Sequence, residues 1–316
     1  MLKIVFALFL VLLPTVAMGQ ETRTFVDDRG REVDIPVDPQ RIVSLDDLRV
    51  TVPLLELGVV PVASHGREGD AGPYIRAAKL ATGIDFDNSD IEFVGSDISA
   101  EAVLNVEPDL IVVYGGRDEL LDQLEMIAPT IVLDPTADDY MGIYEKLAEI
   151  TNTQDTLARL TARYETQLTQ LRALVDTSEI TVSVITASEG TMTVPHTFGS
   201  LGIAVRDAGF RVPALMDTLD VGTEIRLSAE RIEEVDADLI IDSYRSDRGE
   251  GPEAADERMR EVFPQYCDAL WACRNGQYVR VPREEFYAIS YYGLTASIYT
   301  LTALISAQEF TLREAE

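Results

Sequence analysis

One pattern occurs twice in this 316-residue chain and restricts it to a fold built from two similar units. Residues 94–111 read VGSDISAEAVLNVEPDLI, and residues 221–240 read VGTEIRLSAERIEEVDADLI. Each copy is Val-Gly, a hydroxyl residue, an acid and Ile, then Ser-Ala-Glu, a stretch of helical spacing, and Asp-Leu-Ile. The second copy has two extra residues before Ser-Ala-Glu, and the matching parts stand about 129 positions apart. A loop, a helix and a short apolar strand form the repeating element of an open α/β sheet, so the duplication predicts two lobes on one plan. Ser99 and Ser228 are placed to cap the two helices, with Glu101 and Glu230 in the first turns, where the helix dipole favours an anion. The runs 110–113 and 239–241 are unbroken apolar segments, as strands covered on both faces are.

The first residues carry an address. Lys3 is followed by an apolar run from Ile4 to Leu13, then Pro14 and Ala17-Met18-Gly19, which reads as a cleavable signal peptide spanning residues 1–19. A run of about 10 residues is too short to span a bilayer, which needs roughly 20. The expected mature chain begins at Gln20, lies in the periplasm and, with no Cys at the cleavage site, carries no lipid anchor. A formal net charge of −29 argues against nucleic acid and anionic membranes as partners and suits a solvated acidic surface. Two cysteines in an exported chain suggest a Cys267–Cys273 disulfide, the alternative being two buried thiols.

Between these landmarks the chain alternates strands and helices. Residues 24–36 read as a β-hairpin around Asp28-Arg29-Gly30, Arg41–Leu45 as a strand, and Val50–Leu57 as a helix stopped by Gly58. In residues 154–175, Leu157, Leu160, Tyr164, Leu168, Leu171 and Val175 recur at helical spacing without Gly or Pro, and Thr153 is placed to cap the start. A helix this long between the two repeats predicts a strut. The expected organisation is an N-terminal α/β lobe over 20–152, an interlobe helix over 153–176 and a C-terminal α/β lobe over 177–316.

The opening TFVDDRGREVDIPVDPQRIVSL resembles the start of periplasmic solute-binding proteins for ferric siderophores, haem and cobalamin. The stretches LELGVVPVAS, FVGSDISAEAVLNVEPDLIVV, CRNGQYVRVP and FYAISYYGLTASIYTL are similar to that family in the same order. The resemblance covers nearly all of residues 24–310, and its last segment is similar to that of ferrichrome-type binding proteins. It implies two Rossmann-like lobes joined by one long α-helix, with the ligand in a cleft between them. It also implies a monomer that delivers a ferric chelate to an ABC transporter permease in the inner membrane and carries no cofactor of its own.

In open α/β sheets ligands bind beyond the carboxyl ends of the strands. That rule selects Asp46, His65, Arg67, Asp97, Tyr114, Arg117, His196, Glu224, Tyr244, Arg245 and Tyr287, together with Phe198. Aromatic faces and a few charges suit a bulky, partly apolar iron chelate. Tyr114 and Tyr244 follow the two repeated strands, with interface packing as their alternative role, and the resemblance places an aromatic ligand contact at Tyr287. His65 and His196 are the only histidines and are expected to be hydrogen-bonded residues rather than iron ligands; Tyr291 and Tyr292 are expected to pack. Asp97 and Glu224, in equivalent places before the two helices, predict a neutral or cationic chelate such as a hydroxamate, the alternative being that each acid only bonds backbone N–H groups at its own helix start.

Two departures from the family stand out. Alignment places Val52 and Ile203 where the family carries permease-docking glutamates, leaving Asp47, Glu56 or Asp207 as substitutes. Ser96-Asp97 also replace an arginine of the ferrichrome-type relatives. No nucleophile elbow, phosphate-binding glycine loop or His/Cys metal cluster is present in the sequence, so a binder is expected rather than an enzyme. The alternatives are a haem or cobalamin binder of the same family and a secreted hydrolase using carboxylates and a metal.

Overall fold

The computed structural model describes residues 20–116, 118–134, 139–306 and 310–313; residues 1–19, expected to be a signal peptide, and Arg117 lie outside these. The chain enters through an antiparallel hairpin, β1 (Thr22–Val26) and β2 (Glu32–Pro36), turned at Gly30, whose φ of 72° suits a residue without a side chain. Asp27 fastens this hairpin to the first lobe. Its carboxylate accepts from Arg31 and from the Val132 amide.

The first lobe is a five-stranded parallel sheet. Its strands are β3 (Ile42–Ser44), β4 (Ala63–Ser64), β7 (Glu92–Phe93), β8 (Leu110–Tyr114) and β9 (Thr130–Leu133), in the order β7-β4-β3-β8-β9. A two-stranded excursion, β5 (Arg67–Gly69) and β6 (Gly72–Tyr74), leaves the sheet after β4. The apolar run Leu110–Val113 is fully buried, as a strand covered on both faces requires.

The second lobe holds β10 (Val182–Ser188), β11 (Thr191–Pro195), β12 (Glu224–Leu227), β13 (Leu239–Tyr244) and β14 (Tyr278–Pro282), in the order β12-β11-β10-β13-β14. The repeated strands β8 and β13 occupy the same place in the two sheets, so the duplication read from the sequence is structural. The copies then diverge. Ser99 accepts a bond from the Ala102 amide at the start of the α-helix Ala100–Asn105. Ser228 makes no such cap: its hydroxyl bonds the Glu230 carboxylate, and Ala229–Val235 forms a 3₁₀ segment kinked at Arg231. The two inserted residues account for the difference. They lengthen the approach into β12, which pairs antiparallel with β11, where the first copy has only a turn.

The interlobe helix runs over Gln154–Leu174, about 31 Å at 1.5 Å per residue. Thr153 does not cap it; the Thr153 hydroxyl bonds that of Thr151 instead. Tyr164, Leu168 and Leu171 turn inward and meet the C-terminal helix Tyr291–Ile305, which packs along this strut. One apolar core therefore runs from Leu110 and Ile131 in the first lobe through Tyr144, Leu168 and Ile298 to Val182 and Leu239 in the second. Cys267 and Cys273 are bonded to each other, with Cα atoms 4.9 Å apart. Among the described residues no helix is long and apolar enough to cross a membrane.

Candidate functional site

Both sheets direct their strand exits towards the region where the lobes meet. A cavity of about 160 Å³ lies there, walled by Leu48, Arg76 and Ala77 of the first lobe and by Arg245, Arg283, Glu284, Tyr287 and Ala288 of the second. A cavity of about 300 Å³ shares Arg283 and Tyr287 with it and extends along β11 past Thr193, Phe198 and Glu224.

The first-lobe wall is set by a buried carboxylate. Asp46 lies two residues beyond the end of β3 and accepts from the amides of Leu48 and Arg49, capping the π-helical turn Asp47–Thr51. Asp47 is thereby turned inward and fully buried, where it grips Arg76 through two bonds, Nε to Oδ2 at 2.7 Å and Nη2 to Oδ1 at 2.5 Å. His65 Nδ1 stands 3.3 Å from the same carboxylate and its Nε2 is 3.1 Å from the Ser96 carbonyl. Burial works to raise the Asp47 pKa, but Arg76 and His65 overcome it and hold the carboxyl far below the usual range. His65 is almost wholly enclosed and borders neither cavity.

The second-lobe wall is aromatic and basic. Phe198 and Tyr287 meet edge to face with centroids 5.5 Å apart. The Arg283 guanidinium lies 4.0 Å from the Tyr287 ring centre and 5.5 Å from that of Phe198. Arg245 is neutralised by a two-bond pair with Asp247, at 2.8 and 2.5 Å. Burial pushes the neighbouring Glu284 carboxyl up.

The residues selected from the sequence divide accordingly. Arg245, Glu224 and Tyr287 line the cavities. Tyr114 borders neither, but its ring lies 4.9 Å from the Arg49 guanidinium, beside Leu48 in the chain. Asp46 and His65 support the wall from behind. Arg67 is exposed on the β5–β6 excursion, and Asp97 is exposed in a turn that borders neither cavity. Glu224 opens the edge strand β12, so the two repeated acids do not stand in equivalent loops. His196 bonds the Thr197 hydroxyl at 2.8 Å, and desolvation with the nearby Arg206 lowers its pKa. Tyr244 ends β13 half-buried and borders neither cavity. Arg76, Arg283 and Glu284 were not selected. Arg283 and Glu284 directly follow β14, so the strand-exit rule applied to that strand reaches them; Arg76 has no such signal.

The acids considered for permease docking are also placed. Asp47 is buried, Glu56 accepts from the amides of Tyr291 and Tyr292, and Asp207 accepts from the Tyr164 hydroxyl at 3.0 Å. Val52 and Ile203 are buried in the core. Of these five, only Asp207 is exposed, with one carboxylate oxygen held by Tyr164.

Residues 94–261 match the family model described as periplasmic binding protein. The chain belongs to that family. It is 30% identical over 240 residues to the probable siderophore-binding lipoprotein YfiY of Bacillus subtilis (strain 168), covering 72% of this chain and 71% of that one. It is 28% identical over 239 residues to the iron(3+)-hydroxamate-binding protein YxeB of the same organism, covering 73% and 70%. Among solved structures, the FhuD protein from S. pseudintermedius superimposes with a TM-score of 0.71 at 20% identity, over 92% of this chain and all of that one. This last likeness is one of fold: two α/β lobes and a connecting helix. As a member of this family the chain is a binding protein.

Proposed function

We propose that this protein is the substrate-binding component of an ABC importer and holds a ferric siderophore between its lobes for delivery to an inner-membrane permease. The observation that carries this reading is the pair of neighbouring cavities sharing Arg283 and Tyr287, in a chain whose relatives are named for binding siderophores and iron(3+)-hydroxamates. Iron chelates present a rim of negatively polarised oxygens on a bulky, partly apolar body. A guanidinium lying on two aromatic rings offers both contacts at one place. The chelate is cargo, and the site includes no resident metal or cofactor in this reading. Periplasmic residence is part of this proposal, supported by the reading of residues 1–19 as an export signal and by the periplasmic binding protein family match.

The test is direct binding by calorimetry and thermal shift with ferric hydroxamates, catecholates and hydroxycarboxylates, and with haem and cobalamin for comparison. Stoichiometric binding of a ferric siderophore supports the proposal; failure of every siderophore, or a clear preference for haem or cobalamin, overturns it. Quenching of Trp271 is a poor reporter, because this residue sits beside Asp236, Arg274 and Arg313, away from both cavities.

A further inference from the structure

The C-terminal helix Tyr291–Ile305 is capped by a residue from the opposite lobe. The first amides of a helix lack partners within it. Here the Tyr291 amide donates to Glu56 Oε2 at 3.0 Å and the Tyr292 amide to Oε1 at 2.7 Å, while Ser290 Oγ accepts the Gly293 amide at 2.9 Å. The Tyr144 hydroxyl adds a third bond to Glu56. A carboxylate at a helix N-terminus is favoured by the dipole, and two charge-assisted bonds fix its orientation.

Both ends of this contact lead to the ligand cavity. Glu56 closes the helical run that begins at Asp47. That run carries Leu48 in the cavity wall and, through Asp47, the anchor of Arg76. On the other side, Tyr291 directly follows the segment bearing Arg283, Glu284, Tyr287 and Ala288. That segment cannot slide on its own lobe. Ser200 Oγ donates to the Ala288 carbonyl at 2.6 Å and accepts the Ser290 amide at 3.1 Å, and a Cβ on Gly199 would lie 2.3 Å from the Tyr287 carbonyl.

We infer that Glu56 is a positioning residue for the binding site: its carboxylate pins the Leu48 wall of one lobe to the Tyr287 wall of the other and so sets the width of the cleft. The inference rests on the ligand reading proposed above. A pinned cleft needs no ordering when ligand arrives, whereas an unpinned one binds only through the fraction of molecules with the correct width.

The test compares the wild type with Glu56→Gln, which preserves volume but puts an N–H against a helix amide, and with Glu56→Ala. Spin labels at Met126→Cys and Glu253→Cys, both exposed and one on each lobe, report interlobe distance with the native disulfide intact. The expected result for Glu56→Gln is a broadened distance distribution and faster hydrogen exchange at Tyr291 and Tyr292. Exchange in β8 and β13 should be unchanged, and affinity for the ferric chelate bound by the wild type about tenfold weaker. Saturating chelate should restore the narrow distribution. An unchanged distribution in Glu56→Gln overturns the inference, even if melting temperature falls, since a merely structural residue would lower stability without widening the cleft. Unchanged affinity overturns it as well. If the wild type binds no chelate at all, the ligand reading fails, while the distance and exchange measurements still decide whether Glu56 pins the lobes.

Discussion

The guanidinium of Arg283 lies 4.0 Å from the ring centre of Tyr287, and among the described residues no carboxylate pairs with it. Arg76 and Arg245, which share the cavity with it, are each held by two bonds from an aspartate. Arg283 is thus the wall arginine whose donors are uncommitted, and it is oriented by aromatic packing instead of by an ion pair. Arg283→Ala should weaken chelate binding by about 1.5–3 kcal/mol, the usual worth of hydrogen bonds to a charged group. Arg283→Lys should recover only part of this, because an ammonium lacks the planar fork and stacks less well. Titration calorimetry of both variants checks the prediction, with melting temperature unchanged in each.

The two repeated acids should behave differently. Glu224 borders the cavity that contains Arg283, whereas Asp97 lies in an exposed turn that borders neither cavity. Glu224→Gln should change affinity and do so most for chelates carrying net charge. Asp97→Asn should leave affinity within about twofold, since surface charges contribute little. Equal effects of the two substitutions across a charged and a neutral chelate would refute this asymmetry.

Asp242 predicts a pH dependence of stability. It is buried within β13, accepts from the Tyr278 hydroxyl at 2.8 Å and from the Ser243 amide at 2.7 Å, and has no paired cation among the described residues. Burial pushes its carboxyl up to about 7, against 3.8 for the ordinary group. In that interval the folded state binds the proton more tightly than the unfolded state. Stability from this group is therefore fully present below about 4 and is lost as pH rises towards 7. Asp242→Asn should flatten this part of the profile and raise stability above pH 7 by a few kcal/mol. Urea unfolding of both proteins from pH 4 to 8 checks the sign.

The buried Asp47 group should be intolerant of neutralisation. Asp47→Asn leaves Arg76 partly buried without its carboxylate and should cost about 3–5 kcal/mol, as breaking a buried pair typically does. Arg76→Met, which leaves His65 against the carboxylate, should cost less. Denaturant midpoints rank the two.

The Cys267–Cys273 bond closes a short loop between two single-turn helices. Replacing both cysteines by serine should destabilise the protein by about 2 kcal/mol on the chain-entropy argument for so small a loop. Chelate affinity should not change, because neither cysteine borders the cavities.

Periodicity and duplication were enough to read the two α/β units and the linking helix to within two residues at either end. These features are local or repeat in register, so they survive as patterns in one dimension. Of the residues selected, Arg245 and Glu224 border the cavities because they follow or open strands there, and Tyr287 because the short helix after β14 carries it there. His65 and Asp46 were selected by the same rule but turned inward. The direction of a side chain after a strand depends on the turn that follows, and here an aspartate cap sets it.

The sequence by itself therefore determined the family, the number of lobes and the helix between them, because each is written in spacing. Only the tertiary structure decided which charges are free. Asp47 is spent on Arg76 and His65, Glu56 on a helix that starts 235 positions away, and Arg245 on Asp247, leaving Arg283 over its two rings. Pairing of charges is a matter of distance and burial between remote segments. Coulomb attraction grows as water is excluded, and which partners are desolvated together is known only once the lobes have closed around them.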